Sequence, residues 1–325
     1  MLPITVVTPT YNAAAFLRQT IDSVLAQDYP ALEYIVIDDG STDETPSILA
    51  AYGDRIRAVR QPNSGEQTAV NNAVALARSD IIAIVNADDP IRPGLVSAVA
   101  RAFEAQPELV GVYPDWILTD EQGQERFRYR TLDYDFRAMI ERHFCTPGPG
   151  GFFRKSALGG EVARDTTLRY TGDFGLWLRL GLRGPMRRLP GFYATWRQHS
   201  GGVSTGHPEA RAREQIRLAE SLLDRPDLPP ELRARRSQIL SAAYYRAGMH
   251  ALHNPDLPGR ALLFRSYLLQ PVWPWHPNPV LRRSLLRVLF ILGQPVSSWF
   301  YRTGLRLGAL RPTPTGAEAA DDRIA

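Results

Sequence analysis

Two stretches of the sequence decide the fold: residues 34–40 read YIVIDDG and residues 81–89 read IIAIVNADD. Each begins as an apolar, β-branched run of strand length and ends in a pair of carboxylates. Similar apolar runs occupy residues 4–8 and 109–113, and segments with helical periodicity lie between the runs. Strands that alternate with helices predict βαβ units and a mostly parallel sheet, which is covered on both faces because its strands are apolar throughout.

Composition limits the class of protein. The chain has 325 residues, of which 44% are hydrophobic and 22% charged, so it has enough apolar residues for one large domain or two ordinary ones. Its single cysteine, Cys145, excludes a disulfide framework and a multi-cysteine zinc site. Residues 1–204 carry 21 basic and 24 acidic side chains, whereas residues 205–325 carry 17 and 10. The first part is therefore acidic and the second basic, and we predict neither a secretory signal nor a membrane-spanning run.

The two acidic pairs, Asp38/Asp39 and Asp88/Asp89, follow two different strands. One such pair alone is better explained by turns and helix caps. In a parallel sheet both pairs would project at the same edge, where four carboxylates repel one another unless a cation joins them. Oxygen ligands suit Mg²⁺ or Mn²⁺, and substrate phosphates commonly complete such sites. The pattern thus indicates a phosphorylated ligand, while the lack of GxxxxGK and GxGxxG motifs argues against P-loop and nicotinamide-binding proteins.

Further motifs extend this pattern along the first 200 or so residues. They are VVTPTYN at 6–12, DSVLAQ at 22–27, IDDGSTD at 37–43, NNA at 71–73, IIAIVNADD at 81–89, GFFR at 151–154, YTGDFGLWLRL at 170–180, WRQH at 196–199 and GGVS at 201–204. In this order and spacing they resemble glycosyltransferase family 2, whose members are inverting enzymes. The resemblance implies an α/β GT-A nucleotide-diphospho-sugar transferase fold with a Rossmann-like mixed, mostly parallel sheet, followed here by a helical C-terminal extension.

The resemblance also implies a role for each matching residue. The residues implied to bind the nucleotide-sugar donor are Thr8, Pro9, Tyr11, Asp38, Asp39, Asn71 and Asp88. Those implied to hold Mn²⁺ or Mg²⁺ are Asp88, Asp89 and His199. Asp173 stands where the family has its general base, which would take the proton from an acceptor hydroxyl. From the residues alone, Asp173 is equally a helix cap and His199 equally a surface histidine.

The domain organisation follows from the same likeness and from the charge pattern. We predict a catalytic domain over 1–205, with a donor half over about 1–115 and an acceptor half over about 116–205. A basic helical region at 206–310 and a disordered tail at 311–325 would follow.

Residues 280–311 contain six arginines and no acidic residue among bulky apolar side chains. This composition is typical of a helix at an anionic membrane surface, and equally of a helical hairpin packed on the protein or of a dimer contact. We therefore expect a cytoplasmic protein with a peripheral contact to the inner face of the membrane through this segment. Nucleic acid is not an expected partner, because no nucleic-acid-binding motif is present.

The sequence as a whole predicts an enzyme that transfers a sugar from a UDP-, GDP- or dTDP-sugar to a glycan or lipid-linked acceptor. Transfer would be metal-dependent and inverting, and cell-surface polysaccharide assembly is the setting that the resemblance implies. The QxxRW motif of processive family members is missing, which favours a non-processive enzyme. Two alternatives stay open: a nucleotidyltransferase, and a catalytically inactive scaffold that binds nucleotide sugars.

Overall fold

The chain forms two units, each with buried apolar residues of its own. The computed structural model describes residues 1–202, 207–251 and 258–270. The first unit contains residues 1–134 and 145–202. The second contains the described residues of 135–144 and of the chain from 207 onward. The domain boundary at 205/206 stays a prediction.

Eight strands form the sheet of the first unit, in the order β3-β2-β1-β4-β7-β5-β6, and β8 also pairs with β5. The strands are β1 (Ile4–Thr10), β2 (Leu32–Asp38), β3 (Arg57–Arg60), β4 (Ile81–Ile84), β5 (Gly111–Thr119), β6 (Glu125–Tyr129), β7 (Phe152–Arg154) and β8 (Met186–Arg197). Strands β1 to β4 are mutually parallel, whereas β7 is antiparallel to both β4 and β5. The predicted mixed, mostly parallel sheet is thereby confirmed.

The helices of the first unit connect these strands. They are α1 (Ala14–Leu25), α2 (Thr45–Tyr52), α3 (Glu66–Leu76), α4 (Leu95–Ala105) and α6 (Gly172–Gly181). Ile4 and Val6 of β1 share a core cluster with Leu17 and Ile21 of α1, while Val7, outside that cluster, is also fully buried. Both faces of the parallel strands are therefore covered, which explains why their sequences are continuous apolar runs.

Strands β1, β2 and β4 end at one edge of the sheet because they run in parallel. Thr10 at the end of β1 lies beside Asp38 at the end of β2. The backbone N–H of Asp39 extends this pairing by donating to the carbonyl oxygen of Thr10 at 2.8 Å. The residues that follow the three strands, including Tyr11, Asp39 and Asp88, thus start from the same edge, where ligands bind in open α/β sheets.

Asn12 precedes α1 but does not cap it, although asparagine is a common helix cap. Asn12 adopts a left-handed backbone conformation (φ 48°), and its Oδ1 accepts a hydrogen bond from the N–H of Thr42 at 2.8 Å. The cap comes instead from Asp43 after β2, whose Oδ2 accepts from the N–H of Ala14 at 3.1 Å. These two hydrogen bonds tie the β1–α1 loop to the β2–α2 loop. Sequence periodicity cannot reveal them, because the bonded residues lie about 30 positions apart in the sequence.

The second unit is helical where it is described. Its helices are α5 (Phe136–Glu141), α7 (Pro208–Leu223), α8 (Pro230–Arg233), α9 (Arg236–Ala251) and α10 (Gly259–Leu269). Helices α9 and α10 pack closely, since a Cβ on Gly248 would lie 2.7 Å from Cγ of Leu263. Buried Ser241 and Ser266 each donate a hydroxyl hydrogen bond to the other's carbonyl oxygen, at 2.8 and 2.7 Å. The predicted helical extension is confirmed over these residues.

The predicted membrane contact and tail cannot be compared with the structure, because residues 280–311 and 311–325 lie outside the described residues. Within the described ranges, no helix has the length and apolar character needed to cross a membrane.

A buried ion pair joins β5 to β8 in the first unit. Arg188 donates to both oxygens of Asp115, at 2.8 and 2.7 Å, and the N–H and hydroxyl of Thr131 also donate to Oδ1 of Asp115. Burial alone would raise the pKa of Asp115, but the hydrogen bonds from Arg188, Gly191 and Thr131 hold that pKa below its usual value. The carboxylate therefore stabilises the fold in its charged form.

Removal of this carboxylate is expected to destabilise the fold strongly. Asp115→Ala leaves Arg188, whose side chain is 13% exposed, only the 3.6 Å contact with the exposed Asp133. The loss of such a buried carboxylate partner typically costs about 3 kcal/mol. Urea denaturation at pH 7 measures the loss. In the wild type, the contribution of Asp115 is fully present above its unfolded pKa of about 3.9 and disappears as the pH falls through the lower folded value.

The matched control is Glu125→Gln, which breaks an exposed ion pair with Arg128 and should leave the stability nearly unchanged. Equal stability of Asp115→Ala and the wild type would show that the buried pair does not hold β5 and β8 together.

Candidate active site

Three of the residues predicted to bind the donor lie in β1 or directly after it, and one of the three is exposed to solvent. Thr8 and Pro9 are buried within β1, where the hydroxyl of Thr8 lies 3.1 Å from that of Tyr34. Tyr11, the next residue but one, is 51% exposed. Of the three residues, Tyr11 is thus the one whose ring is available to stack on a base, and the other two shape the strand beneath it.

The acidic pair after β2 is buried and organises the loops around it. Oδ1 of Asp38 accepts from the N–H of Ser41 at 2.8 Å. Asp39 accepts from the N–H groups of Ser64 and Gly65, at 2.9 and 2.8 Å, and from Nε2 of Gln61 at 2.8 Å. These contacts fix the loop that leads into α3, and the base contact predicted for Asp39 stays a prediction.

The acidic pair after β4 divides into one inward and one outward carboxylate. Asp89 is 5% exposed, and its two oxygens accept from the N–H of Arg197 at 2.8 Å and from Nδ2 of Asn86 at 3.0 Å. Burial, reinforced by the nearby charge of Asp88, raises the pKa of Asp89 well above its usual value. These contacts fix Asp89 against β8, and the metal contact predicted for it stays a prediction.

Asp88 and His199 come together, as the family likeness implied. Oδ2 of Asp88 lies 2.9 Å from Nε2 of His199, although 111 residues separate them in the sequence. The imidazole ring also packs on Phe16, with ring centroids 4.6 Å apart. The structure therefore places one carboxylate oxygen and one imidazole nitrogen, both suitable donors for a divalent cation, at the same point.

Arg197 holds this part of the site together, a role that its motif did not reveal. Its Nε donates to the carbonyl oxygen of Asp88 at 3.0 Å, Nη1 donates to that of Glu121 at 2.8 Å, and Nη2 donates to Oε1 of Gln19. The guanidinium also lies 4.9 Å above the ring of Phe16. One side chain thus connects the segment after β4 with α1 and with the β5–β6 turn, and fixes the backbone that carries Asp88.

Asp173 lies in the first turn of α6 with an exposed side chain. Its Oδ1 accepts from the N–H of Phe174 at 2.7 Å, whereas the cap position belongs to Thr171. The alternative that Asp173 is the N-cap is therefore wrong. Its exposed carboxylate is accessible to a hydroxyl group of a bound molecule.

Two side chains of α3, one turn apart, hold the irregular segment that precedes Asp173. The amide of Asn71 donates to the carbonyl oxygen of Arg164 at 2.8 Å and accepts from its N–H at 2.7 Å. Nε2 of Gln67 donates to the carbonyl oxygen of Arg169 at 3.0 Å. Asn71, predicted to contact the donor, thus has its amide engaged by the backbone, and the geometry favours a positioning role for it.

Gly172, the residue before Asp173, packs closely against Gln67 of α3. A Cβ at Gly172 would lie 2.7 Å from Oε1 and 3.0 Å from Cδ of Gln67. Gln67 is itself buried and bonded to the backbone of Arg169. Close packing therefore requires glycine at the position before Asp173.

Glu66 is a further candidate that the sequence did not single out. Its side chain lies at the start of α3 and is exposed by surface area. The protein atoms packed around its carboxyl group nevertheless displace hydration water, and this desolvation raises its pKa. The charge of Arg164 acts against that increase, while the charges of Asp173 and Asp88 add to it. Glu66 therefore lies within electrostatic range of both the outward carboxylate after β4 and the one on α6.

Comparison with known proteins agrees with this geometry. The family model for glycosyl transferase family 2 matches residues 5–158. A protein of Nostoc sp. described as an uncharacterized glycosyltransferase is 32% identical over 322 residues, which cover 90% of this chain and 96% of the relative. The fold is that of a GT-A nucleotide-diphospho-sugar transferase. The chain belongs to glycosyltransferase family 2 and is an enzyme of the glycosyltransferase class.

Other relatives match over shorter lengths. An uncharacterized glycosyltransferase of Rickettsia prowazekii is 29% identical over 188 residues, and the match spans 58% of that protein. The O-antigen biosynthesis protein RfbC of Myxococcus xanthus is 31% identical over 182 residues, which are 51% of this chain and 14% of that protein.

Solved structures share the fold at low sequence identity. TarS of S. aureus (residues 1–349) in complex with UDP-GlcNAc superposes with a TM-score of 0.68 at 18% identity, covering 93% of this chain and 92% of TarS 1–349. The mannosyltransferase PcManGT of Pyrobaculum calidifontis, in complex with GDP-Man and Mn²⁺, gives a TM-score of 0.51 at 20% identity, covering 95% and 86%.

The contact between Gly172 and Gln67 predicts a coupled pair of mutations. Gly172→Ala should push Gln67 away from Arg169 and displace Asp173, and we expect kcat to fall about tenfold because small misplacements of reacting groups are costly. In Gly172→Ala/Gln67→Ala the clash is absent, so the double mutant should lose less activity than the sum of the single effects. Donor turnover and melting temperature are measured for Gly172→Ala, Gln67→Ala and the double mutant. Losses that add up in the double mutant would contradict the coupling.

Proposed function

We propose that this protein is a metal-dependent, inverting glycosyltransferase that moves a sugar from a nucleotide-diphosphate donor to a glycan or lipid-linked acceptor. The observation that carries the proposal is the Asp88–His199 pair at the edge where β1, β2 and β4 end. The exposed Asp173 belongs to the same unit, and the charges of Asp88 and Asp173 both act on Glu66.

The donor would bind across this edge. The exposed ring of Tyr11 offers a stacking surface for the base, and the loop held by Asp39 borders the same edge. TarS and PcManGT, which share the fold, bind UDP-GlcNAc and GDP-Man, which supports a nucleotide-sugar donor. UDP-, GDP- and dTDP-sugars are all compatible with these contacts.

The residues present fit a divalent cation. Asp88 supplies an oxygen and His199 a nitrogen at one point, a set that suits Mn²⁺ better than Mg²⁺. Among the described residues no group of three acidic, histidine or cysteine side chains could hold a metal, so the other ligands would be water and the donor diphosphate. When bound, the cation would offset the negative charge of the leaving nucleoside diphosphate.

Asp173 would act as the general base. Its exposed carboxylate would take the proton from an acceptor hydroxyl as that oxygen forms a bond to the anomeric carbon. The bond from the anomeric carbon to the diphosphate oxygen breaks in the same displacement, and the nucleoside diphosphate departs with its electron pair. A single displacement inverts the configuration at the anomeric carbon.

The setting that we propose is cell-surface polysaccharide assembly by a non-processive enzyme. The likeness to RfbC, an O-antigen biosynthesis protein, supports such an acceptor. A lipid-linked acceptor would also account for a basic, apolar segment at 280–311 that contacts the inner face of the cytoplasmic membrane from the cytoplasm.

The metal proposal predicts that nucleotide binding depends on Mn²⁺ and on His199. Titration calorimetry with UDP, GDP and dTDP should show binding of one of them that weakens at least about tenfold with EDTA or in His199→Ala, because the loss of an ordering ligand typically costs 10–100-fold. His207→Ala, which removes an exposed histidine of the second unit, is the control. Binding that is unchanged by EDTA and by His199→Ala would contradict the metal site.

Product analysis tests the function. Incubation with UDP-, GDP- and dTDP-sugars should release the nucleoside diphosphate, with water as acceptor when no sugar acceptor is added. We expect Asp173→Asn to lower kcat about 10²–10⁴-fold without weaker donor binding, and the exposed control Asp54→Asn to match the wild type. Pyrophosphate release would instead favour a nucleotidyltransferase, and donor binding without any product would favour a scaffold.

A further inference from the structure

Arg164 is a buried cation without a counter-charge in direct contact. The residue is 8% exposed, and its Nε forms no hydrogen bond with any described residue. The ion pairs recorded among the described residues do not include it, although neighbouring Arg179 and Arg183 both pair with Glu161. A buried guanidinium in this state is unfavourable unless an anion joins it.

The position of Arg164 is fixed from two sides. Asn71 bonds both its N–H and its carbonyl oxygen, at 2.7 and 2.8 Å. Arg179 donates to the carbonyl oxygens of the two preceding residues, Val162 at 2.7 Å and Ala163 at 2.6 Å. The backbone that carries the guanidinium is therefore held rigidly before any ligand arrives, as a preformed binding site requires.

Arg164 and Asp173 are tied to successive turns of α3, because Asn71 bonds the backbone of Arg164 and Gln67 packs on Gly172, the residue before Asp173. Among nearby charges, that of Arg164 has the largest effect on the carboxyl group of Glu66, followed by that of Asp173. The same two residues, Asp173 and Arg164, are the charges that act on the thiol of Cys145. Glu66 itself does not form an ion pair with Arg164, so no described carboxylate neutralises the guanidinium by direct contact.

The chemistry of the missing partner follows from the charge. A sugar hydroxyl satisfies one N–H group but leaves the buried positive charge uncompensated. A carboxylate or phosphate accepts hydrogen bonds from the N–H groups and also compensates the positive charge. Its two oxygens match the spacing of the guanidinium N–H groups.

We propose that Arg164 binds an anionic substituent, a carboxylate or a phosphate, on the sugar substrate that reacts at Asp173. The inference rests on the proposed function and makes Arg164 a specificity-determining residue, which selects a charged substrate over its neutral counterpart. The substituent belongs either to the donor sugar or to the acceptor.

Two pairs of probes distinguish the sources. In the donor arm, UDP-glucuronic acid is compared with UDP-glucose and GDP-mannuronic acid with GDP-mannose, in the presence of Mn²⁺. In the acceptor arm, glucuronate and glucose 1-phosphate are compared with glucose. Calorimetric affinities are measured for the wild type, Arg164→Gln, Arg164→Lys and the control Arg101→Gln, which removes an exposed charge from α4 of the same unit.

We expect the anionic member of a pair to bind at least about tenfold more tightly than the neutral member in one arm, and that arm identifies the source. The preference should fall below about twofold in Arg164→Gln, lie between these values in Arg164→Lys, and stay intact in Arg101→Gln. Equal affinities within every pair in the wild type, or a preference that persists in both Arg164 variants, would overturn the inference.

The outcomes separate this inference from the proposed function. Nucleotide binding and turnover without any anion preference would leave the function standing and refute the role of Arg164. If Arg164→Gln does not fold, the wild-type comparison and Arg164→Lys still decide, because the first measures the preference and the second keeps the charge while changing its geometry.

Discussion

The hydrogen bonds from Asn71 and Gln67 to the segment before α6 are the constraint on which the acceptor side of the site depends. Much of the segment between Leu158 and Gly172 is irregular and has no strand ladder to hold it. Two amides on successive turns of α3 replace that ladder by bonding backbone groups of Arg164 and Arg169. Because α3 is also fixed at its start by the loop on Asp39, that loop and the segment before α6 are held by the same helix.

The carboxylates of the site divide into two groups by burial. Asp38, Asp39 and Asp89 are buried, and their oxygens accept hydrogen bonds from loop backbone or side chains. Asp88 and Asp173 keep accessible oxygens. The buried carboxylates fix the loops around them, because buried backbone N–H groups need hydrogen-bond partners that water does not supply there. The accessible carboxylates keep oxygens that can contact other molecules. The hydrogen bonds to the buried carboxylates offset part of the repulsion among the negative charges of the site.

The parallel strands and the proximity of His199 to Asp88 could be predicted from the sequence. Contacts could not be predicted where the hydrogen-bond donor lies far away in the sequence. Strands β1 and β4 were predicted because their apolar runs have no other stable environment, and His199 was paired with Asp88 through the order of the motifs. The hydrogen-bond partners of Asp89 and Asn71 were not predictable, since residue type does not show that Arg197 and Arg164 supply them. Glu66 lies in no acidic pair, so the sequence does not single it out. Its pKa is raised by burial and by charges such as that of Asp173, which come near it only in the folded chain.

The end of α3 has a chemical consequence for handling the protein. Lys155 is the one lysine among the 38 basic residues, and its ammonium donates to the carbonyl oxygens of Ala75 and Ala77 at 3.4 and 3.0 Å. Amine-directed reagents, whether dyes, crosslinkers or biotin esters, have this single side chain as a target besides the α-amino group of Met1. Acylation there removes the positive charge that neutralises the carbonyl end of the helix. Conjugation through amines would thus loosen the helix that carries Gln67 and Asn71, whereas attachment through other side chains would spare it.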